Sequence, residues 1–324
     1  MHRYASTHTA IRDWYATYGR HDLPWRQTRD PYRIYLSEIM LQQTQVATVL
    51  ERFYFPFLER FPTLADVAKA PEDAVLKAWE GLGYYTRARN LHKTARITGG
   101  VLPATAAELE QLPGIGRSTA AAIACFAWGE AVPILDANVR RILYRFFRRR
   151  QADTRSLWRM AERLFDAGRP YEHNQALMDI GSMLCTPRDP DCDACPLKDQ
   201  CRGREHPERY PAPRAQKPRP VRRRTMLLYT DGERYGLRKG DARLLGGLYG
   251  WPQVEEEVVG HPLGRVVHRY SHFTLEAEVV LTDERPEEPV VLYTLGEIEA
   301  LPLSGADRKA LELLKGTISS RGSS

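Results

Sequence analysis

The chain has only five cysteines in 324 residues and no long apolar segment. Its longest uninterrupted apolar run, from Ala120 to Trp128, is far shorter than the ~20 residues that a membrane-crossing helix needs. The first twenty residues mix charged and apolar side chains and lack the apolar block of a secretory signal. We therefore expect a soluble cytoplasmic protein with no membrane partner and no disulfides.

Strand signals are scarce in residues 1–184, where apolar residues recur at helical spacing between proline and glycine breaks. Residues 202–224 hold five prolines and nine basic residues and are too poor in apolar residues to build a core, which predicts an extended linker. Short alternating segments then predict strands, with a closing helix over residues 304–316. The sequence thus predicts a multidomain protein with four parts: an all-α domain (1–201), the basic linker (202–224), an α+β domain (225–317) and a disordered tail (318–324).

Positive charge is concentrated in the first two parts. The net charge of +6 divides into +4 for residues 1–201, +7 for the linker and −5 for residues 225–324. The arginine-rich run RRILYRFFRRR occupies residues 140–150. This distribution favours a polyanionic partner, although the arginine run is also compatible with a solvated helix face.

Four of the five cysteines lie within seventeen residues, in the pattern C-x6-C-x2-C-x5-C formed by Cys185, Cys192, Cys195 and Cys201. Four clustered thiols in a protein that is not secreted indicate metal ligands. The compact spacing favours an iron–sulfur cluster, and a structural zinc ion is the alternative, because Zn²⁺ also takes four thiolates. Cys125, inside AAAIACFAW, fits an ordinary buried thiol.

The segment LPGIGRSTA at 112–120 places two glycines at the start of an alanine-rich helix. Backbone N–H groups at such a start suit a phosphate, because the positive end of the helix dipole lies there. A tight connection between two helices is the alternative explanation.

Two acidic residues outside this turn, Glu38 and Asp136, are candidates for a chemical role. Glu38 lies among apolar residues in YLSEIMLQQTQV, which would raise its pKa and let it donate a proton near neutral pH, unless it lies on a helix surface. Asp136 in PILDANVRRIL precedes an apolar helix and could be a helix cap with no further role.

Together these segments resemble the helix-hairpin-helix DNA glycosylase superfamily, and within it the MutY-type adenine DNA glycosylases. The motifs that carry the resemblance are LSEIMLQQTQV, GLGYYTRARNLH, LPGIGRSTA, LDANV and the four-cysteine segment, in one order between Trp14 and Cys201. The resemblance implies an all-helical, two-lobed glycosylase domain that acts in base excision repair. It also implies a [4Fe–4S] cluster as the cofactor held by the four cysteines.

The resemblance draws attention to residue 118, where related enzymes have a lysine. In related bifunctional glycosylases such as endonuclease III, a lysine follows the Gly-x-Gly-Arg motif and its amine forms a Schiff base with the sugar. Ser118 stands at that position here, and a hydroxyl cannot form an imine. The resemblance therefore implies a monofunctional enzyme that removes a base and leaves an abasic site.

The implied chemistry uses two carboxylates, as glycoside hydrolysis does. Glu38 would protonate the departing adenine at N7, and ionised Asp136 would stabilise the oxocarbenium-like sugar. Asn138 would support the sugar site.

Base chemistry in a duplex requires that the base be flipped out of the stack. Trp25 and Arg26 match the wall of the pocket for the flipped adenine. The positions implied in DNA binding are Gln43, Leu82, Tyr84, Gly114, Gly116 and Arg117. Tyr84 and Tyr85 also fit core aromatics.

Residues 244–255 and 268–279 resemble the Nudix-like C-terminal domain of MutY. The acidic cluster at 255–257, which includes Glu257, is not in the expected helix, so we do not expect nucleotide hydrolysis. The family recognises 8-oxoguanine with a loop that here is Tyr270, Ser271 and His272, with tyrosine where phenylalanine is frequent. A plain β-turn is the alternative.

The implied partner is double-stranded DNA containing adenine opposite 8-oxoguanine or guanine, bound by a monomer at the nucleoid. A sliding clamp and mismatch-repair proteins are further candidate partners. Two other functions stay open: a thymine or uracil mismatch glycosylase, and a DNA-binding module without catalysis.

Overall fold

A computed structural model of the chain describes residues 4–213, 218–240, 246–256 and 258–321. Helices dominate the first 184 residues, and no strand occurs in the described residues up to 213. The helices of this part are α1 (Ala5–Tyr18), α2 (Pro31–Met40), α3 (Val46–Arg52), α4 (Tyr54–Arg60), α5 (Leu64–Lys69), α6 (Glu72–Ala78), α7 (Thr86–Ile97), α8 (Ala106–Leu109), α9 (Arg117–Trp128), α10 (Ala137–Phe146), α11 (Thr154–Leu164) and α12 (Pro170–Met183).

The remaining part is mixed. Its elements are β1 (Val221–Tyr229), β2 (Tyr235–Lys239), β3 (Tyr249–Gly250), β4 (Gln253–Val254), β5 (His261–Arg269), β6 (Thr274–Thr282), β7 (Val291–Tyr293), α13 (Leu295–Ala300) and α14 (Gly305–Arg321). Among the described residues, none of the helices is both long enough and apolar enough to cross a membrane.

The chain forms two compact units that do not follow the boundary predicted from the sequence. One unit contains residues 1–43 and 101–215, and the other contains residues 44–100 and 216–324. Helices α3 to α7 therefore belong with the C-terminal strands rather than with the rest of the helical part.

The first unit is held together by an apolar core to which α1, α10, α11 and α12 contribute. Ile11, Val139, Leu157 and Ile180 are among its buried residues, one from each of these helices. Three of the unit's helices start with capping aspartates: Asp30 accepts N–H bonds from the first turn of α2, and Asp136 and Asp153 do the same for α10 and α11. The caps satisfy N–H groups that would otherwise lack a partner, and they fix where these helices begin.

The second unit contains two sheets. Strand order is β4-β1-β6-β5 in the larger sheet, where β1 and β6 run parallel, and β3-β2-β7 in the smaller, antiparallel sheet. Trp251 and Leu311 lie in the core between strands and α14. The prediction of an all-helical part followed by an α+β part is confirmed, since strands begin only at Val221.

Two predicted boundaries need correction. Strand β1 begins at Val221, so residues 221–224 pair with β6 and are not part of a linker. Helix α14 continues to Arg321, so residues 318–321 are helical rather than a disordered tail. Glu257 and residues 244–245 of the C-terminal motif lie outside the described residues.

Candidate functional site

Glu38 lies near the end of α2 and is half-buried between buried neighbours such as Ser37 and Ile39. Burial, and to a lesser extent the Asp136 carboxylate, raise the pKa of Glu38 to about 7 against the opposing charge of the Arg26 guanidinium. A carboxylic acid with a pKa near 7 is divided between its protonated and ionised forms at neutral pH. Glu38 can therefore donate a proton where an ordinary glutamate would already be ionised.

Asp136 is the N-cap of α10. One of its carboxylate oxygens accepts the backbone N–H of Val139 at 2.7 Å, and the other accepts the Asn138 side-chain amide at 3.2 Å. Burial raises the pKa of Asp136, while these hydrogen bonds and the charge of Arg141 oppose the rise. The capping role considered from the sequence is thus present, and the cap holds the carboxylate in a fixed direction.

A hydrogen-bonded chain connects this cap to the cysteine segment. Asn138 Oδ1 accepts the Arg141 guanidinium at 2.9 Å, and Arg141 donates to the main-chain oxygens of Gly181 at 2.6 Å and Cys185 at 2.5 Å. A Cβ at position 181 would lie 2.5 Å from the Cβ of Asn138, so α12 approaches α10 this closely only because residue 181 is glycine. Neither Arg141, although part of the arginine-rich run, nor Gly181 was among the site residues predicted from the sequence.

Ser118 is the second residue of α9, and its Oγ accepts the backbone N–H of Leu135 at 3.1 Å. Leu135 directly precedes Asp136. The serine hydroxyl therefore ties the hairpin helix to the segment that carries the capping acid.

The glycine turn before α9 is a connection between two helices, α8 and α9, as the alternative explanation required. Gly114 has a φ of 74°, and Gly116 is the N-cap of α9 and is exposed. The Arg117 guanidinium stacks 3.9 Å from the centre of the Trp158 ring and lies 3.1 Å from Glu162. DNA contact by these three residues stays a prediction.

Trp25 and Arg26 lie in a short 3-10 turn before α2, and both are shielded from solvent. Arg26 donates two hydrogen bonds, of 2.6 and 2.9 Å, to the buried carboxylate of Asp179, which also binds Arg20. Burial works to raise the pKa of Asp179, but the hydrogen bonds and charges of Arg26 and Arg20 together outweigh it and hold that pKa below its usual value. Asp179 was not among the site residues predicted from the sequence, although a lone acid in the apolar stretch ALMDIG is a usable signal.

The four clustered cysteines line one cavity together with Arg145, whose guanidinium lies 3.3 Å from the Sγ of Cys185. Within the described residues, no three His, Cys, Asp or Glu side chains are close enough to hold a single metal ion. A zinc site needs all four sulfurs at ~2.3 Å from one point, whereas a four-iron cluster is a larger body with a thiolate at each corner. Thiols arranged around a cavity therefore fit the cluster better than zinc. Cys125 is fully buried elsewhere, as predicted.

Two exposed residues that the resemblance implies in DNA contact have a left-handed backbone. Gln43 has a φ of 59° and Tyr84 a φ of 50°, conformations that non-glycine residues rarely adopt and that often mark functional sites. Tyr84 is 45% exposed, with the Arg87 guanidinium 5.4 Å from its ring centre. Leu82 is only 7% exposed, which makes its side chain part of the core and argues against the predicted contact with DNA.

Residues 270–272 form the turn between β5 and β6, the plain hairpin that was the alternative. The backbone N–H of Tyr270 donates to Phe273 O at 2.9 Å. Its ring is packed against His268 and Phe273, with centroids 4.6 and 4.8 Å away. Ser271 and His272 are exposed.

One cleft of about 430 Å³ in the second unit is lined by both turns. Tyr84 and Tyr85 come from one turn, and Tyr270, Ser271 and His272 come from the other. The fold therefore brings together two sets of residues that are about 185 positions apart in the sequence.

Residues 36–166 match the family model described as HhH-GPD superfamily base excision DNA repair protein. The adenine DNA glycosylase of Buchnera aphidicola subsp. Acyrthosiphon pisum is 32% identical over 297 residues, which are 84% of this chain and 85% of that protein. This chain belongs to the MutY-type adenine DNA glycosylase family.

Other members of the family match over a shorter span. The adenine DNA glycosylases of Buchnera aphidicola subsp. Baizongia pistaciae and of Homo sapiens are each 43% identical to this chain, over 59% and 61% of its length. The chain covers 56% of the first and 39% of the second, so it spans about half or less of the length of these relatives.

Two solved structures share the helical fold. A thermostable thymine-DNA glycosylase has 32% identity and a TM-score of 0.56, covering 61% of this chain and 94% of its own. A non-covalent endonuclease III–DNA complex has 22% identity and a TM-score of 0.54, covering 63% of this chain and 94% of its own. The latter likeness concerns the fold alone.

Proposed function

We propose that the protein is a monofunctional adenine DNA glycosylase that hydrolyses the N-glycosidic bond of adenine opposite 8-oxoguanine or guanine. The single observation that carries the proposal is a pair of interacting carboxyl groups. Glu38 has a pKa of about 7, and the negative charge of Asp136 contributes to raising it. One acid that keeps its proton beside one that is held by hydrogen bonds is the arrangement that glycoside cleavage uses.

Glu38 supplies the proton in this mechanism. A flipped adenine leaves as an anion unless a ring nitrogen is protonated, so the acid lowers the barrier by neutralising the leaving group. The half-buried position of Glu38 keeps the proton on the carboxyl group until adenine N7 accepts it.

Asp136 acts on the sugar. Departure of the base leaves positive charge on the sugar ring, and a preorganised carboxylate stabilises such charge by ~3 kcal/mol or more in a site shielded from water. Its two oxygens are held by Val139 and Asn138, so the carboxylate need not reorganise during the reaction. Asn138 is thereby a support for the acid.

The reaction ends at hydrolysis because Ser118 stands where a bifunctional enzyme has its amine. A hydroxyl forms no imine, and the Oγ of Ser118 is occupied with the N–H of Leu135. The expected product is an abasic site in an intact strand.

Cys185, Cys192, Cys195 and Cys201 would hold a [4Fe–4S] cluster. The cluster would supply folding energy to a segment that has few apolar residues of its own. None of the reacting groups named above belongs to this segment.

The C-terminal part is proposed to be a Nudix-like domain that recognises the base opposite adenine. The exposed Ser271 and His272 can hydrogen-bond the oxidised edge of 8-oxoguanine, and Tyr84 lines the same cleft as a candidate wedge. Gln43, also exposed, is proposed as a second wedge at the site of base flipping. Trp25 and Arg26 would form the wall of the adenine pocket, and double-stranded DNA is the partner.

The thymine-DNA glycosylase among the structural neighbours makes thymine removal the second candidate. The experiment that separates the two measures base release from duplexes with A opposite 8-oxoguanine, A opposite G, T opposite G and U opposite G. Release of adenine from the first two supports the proposal. Release of thymine or uracil with adenine left intact contradicts it.

A further inference from the structure

Residues 301–305, which are the connection between α13 and α14 and the first residue of α14, accept hydrogen bonds from side chains of α6 and of the turn before α7. The ammonium of Lys77 donates to Leu301 O at 3.1 Å, and the phenol of Tyr85 donates to Leu303 O at 3.1 Å. Burial raises the pKa of Tyr85 to about 12, so its phenol keeps the proton that makes this bond. We call residues 301–305 the docking segment.

An ion pair lies beside this segment. The guanidinium of Arg308 binds both carboxylate oxygens of Glu80, at 2.6 and 2.9 Å, and Lys77 binds the same carboxylate at 2.7 Å. The side chains of Glu80 and Arg308 are 19% and 27% exposed. A bidentate ion pair that is largely shielded from solvent holds its geometry better than an isolated surface pair does.

The Glu80–Arg308 ion pair and the hydrogen bond from Tyr85 to Leu303 both hold the turn that carries Tyr84. Glu80 immediately precedes Gly81, and the phenol oxygen of Tyr85 also accepts the backbone N–H of Gly81 at 3.3 Å. The turn is thus bound at its start by Glu80 and at its end by Tyr85.

The docking segment also belongs to the cleft. Ser304 and Gly305 line it together with Tyr84 and the 270–272 turn. The Oγ of Ser304 lies 3.4 Å from the phenol oxygen of Tyr270, so movement of the docking segment would shift the Tyr84 turn and the 270–272 turn relative to each other.

We propose that Glu80, Tyr85 and Arg308 are positioning residues that hold the Tyr84 turn and the 270–272 turn at a fixed separation, which makes the cleft specific for the oxidised base. This inference rests on the proposed function, in which the cleft receives the base opposite adenine. A preformed cleft binds its ligand without first having to order two loops, so the gain is largest for the base that fits.

A matched control exists at the other end of α6. Asp73 binds Lys239 at 2.9 Å and the Tyr249 phenol at 3.1 Å, and none of these three lines the cleft. Asp73→Asn therefore weakens the packing of α6 on β2 and β3 without touching the Tyr84 turn.

The experiment compares Glu80→Gln, Arg308→Gln, the double variant, Tyr85→Phe and Asp73→Asn. Single-turnover base release is measured with adenine opposite 8-oxoguanine and opposite guanine, and the ratio of the two rates is the readout. Loss of one shielded hydrogen bond predicts a ratio about 5- to 10-fold lower in Glu80→Gln and Tyr85→Phe. The double variant should lose no more than either single variant, and Asp73→Asn should keep the ratio.

Equal losses with both duplexes, or the same fall in Asp73→Asn, would show a general packing role and overturn the inference. His272→Ala separates this failure from that of the proposed function. If His272→Ala lowers the ratio while Glu80→Gln and Tyr85→Phe do not, the positioning role alone is wrong. If His272→Ala leaves the ratio unchanged, or the wild type shows no preference, the 270–272 turn does not recognise the base, and this inference fails together with the recognition role proposed for that turn.

Discussion

The carboxylate of Asp136 raises the pKa of Glu38, on top of the larger effect of burial. The two acids come from different helices, α2 and the start of α10. Asp136 accepts two N–H hydrogen bonds, which favour its ionised form, so the proton that the pair retains belongs on Glu38.

The first prediction concerns the pH dependence of base release. As the pH rises through about 7, Glu38 ionises and can no longer donate, so the single-turnover rate should fall with a midpoint near 7. The rate is measured from pH 5 to 9 at saturating enzyme. A rate that stays constant between pH 6 and 8.5 would contradict Glu38 as the acid.

The second prediction concerns stability. The pKa of Glu38 is raised from 4.5 to about 7 on folding, so the folded protein holds this proton more tightly than the unfolded chain does. The free energy of unfolding therefore falls as the pH rises from 4.5 through 7. Glu38→Gln cannot ionise and should raise the free energy of unfolding by ~1–3 kcal/mol at pH 8 and by less at pH 5. Urea unfolding at both values checks this. A variant that is less stable than wild type at pH 8 would speak against a buried, perturbed acid.

The third prediction concerns Ser118. Ser118→Ala removes the acceptor for the Leu135 N–H and should cost ~1 kcal/mol of stability, with adenine release several-fold slower because Asp136 follows directly. Ser118→Thr keeps a hydroxyl and serves as the control. Full activity in Ser118→Ala would mean that this bond does not position the acid.

The fourth prediction concerns Gly181. A Cβ there would lie 2.5 Å from that of Asn138, so Gly181→Ala should push α10 and α12 apart and cost ~1–3 kcal/mol, with reduced base release. Gly316→Ala is the matched control, because Gly316 is also helical and has nothing within 4 Å of the added methyl. Thermal unfolding of both variants tests this, and equal stability of the two would contradict the close approach.

The fifth prediction concerns the cofactor. Purified protein should contain about four irons per chain and absorb broadly in the visible. Cys195→Ser should lose iron and stability, whereas Cys125→Ser, outside the cluster of cysteines, should keep the iron. One zinc and no iron in freshly purified protein would favour the alternative site.

Local motifs predicted the helical part, the α+β part and the neighbourhood of the two acids. They could do so because capping residues and hydrophobic spacing depend only on residues close together in the sequence. Asp136 illustrates this: its capping role follows from its position before α10, and a cap can also be a reactive carboxylate.

Other features depend on contacts between distant residues. Leu82 was expected to reach DNA, but only the fold shows that it is buried while its neighbour Tyr84 is exposed. The grouping of residues 44–100 with the C-terminal strands likewise arises from tertiary packing, which no local pattern encodes. The need for glycine at 181 becomes visible only when Asn138 is seen against it.

The most direct test of the two-carboxylate account is single-turnover adenine release by Glu38→Gln from a duplex with A opposite 8-oxoguanine, measured beside duplex affinity. The account predicts a rate at least ~100-fold lower, because the general acid is gone, with affinity within about 3-fold of wild type. Base release at the wild-type rate would contradict it.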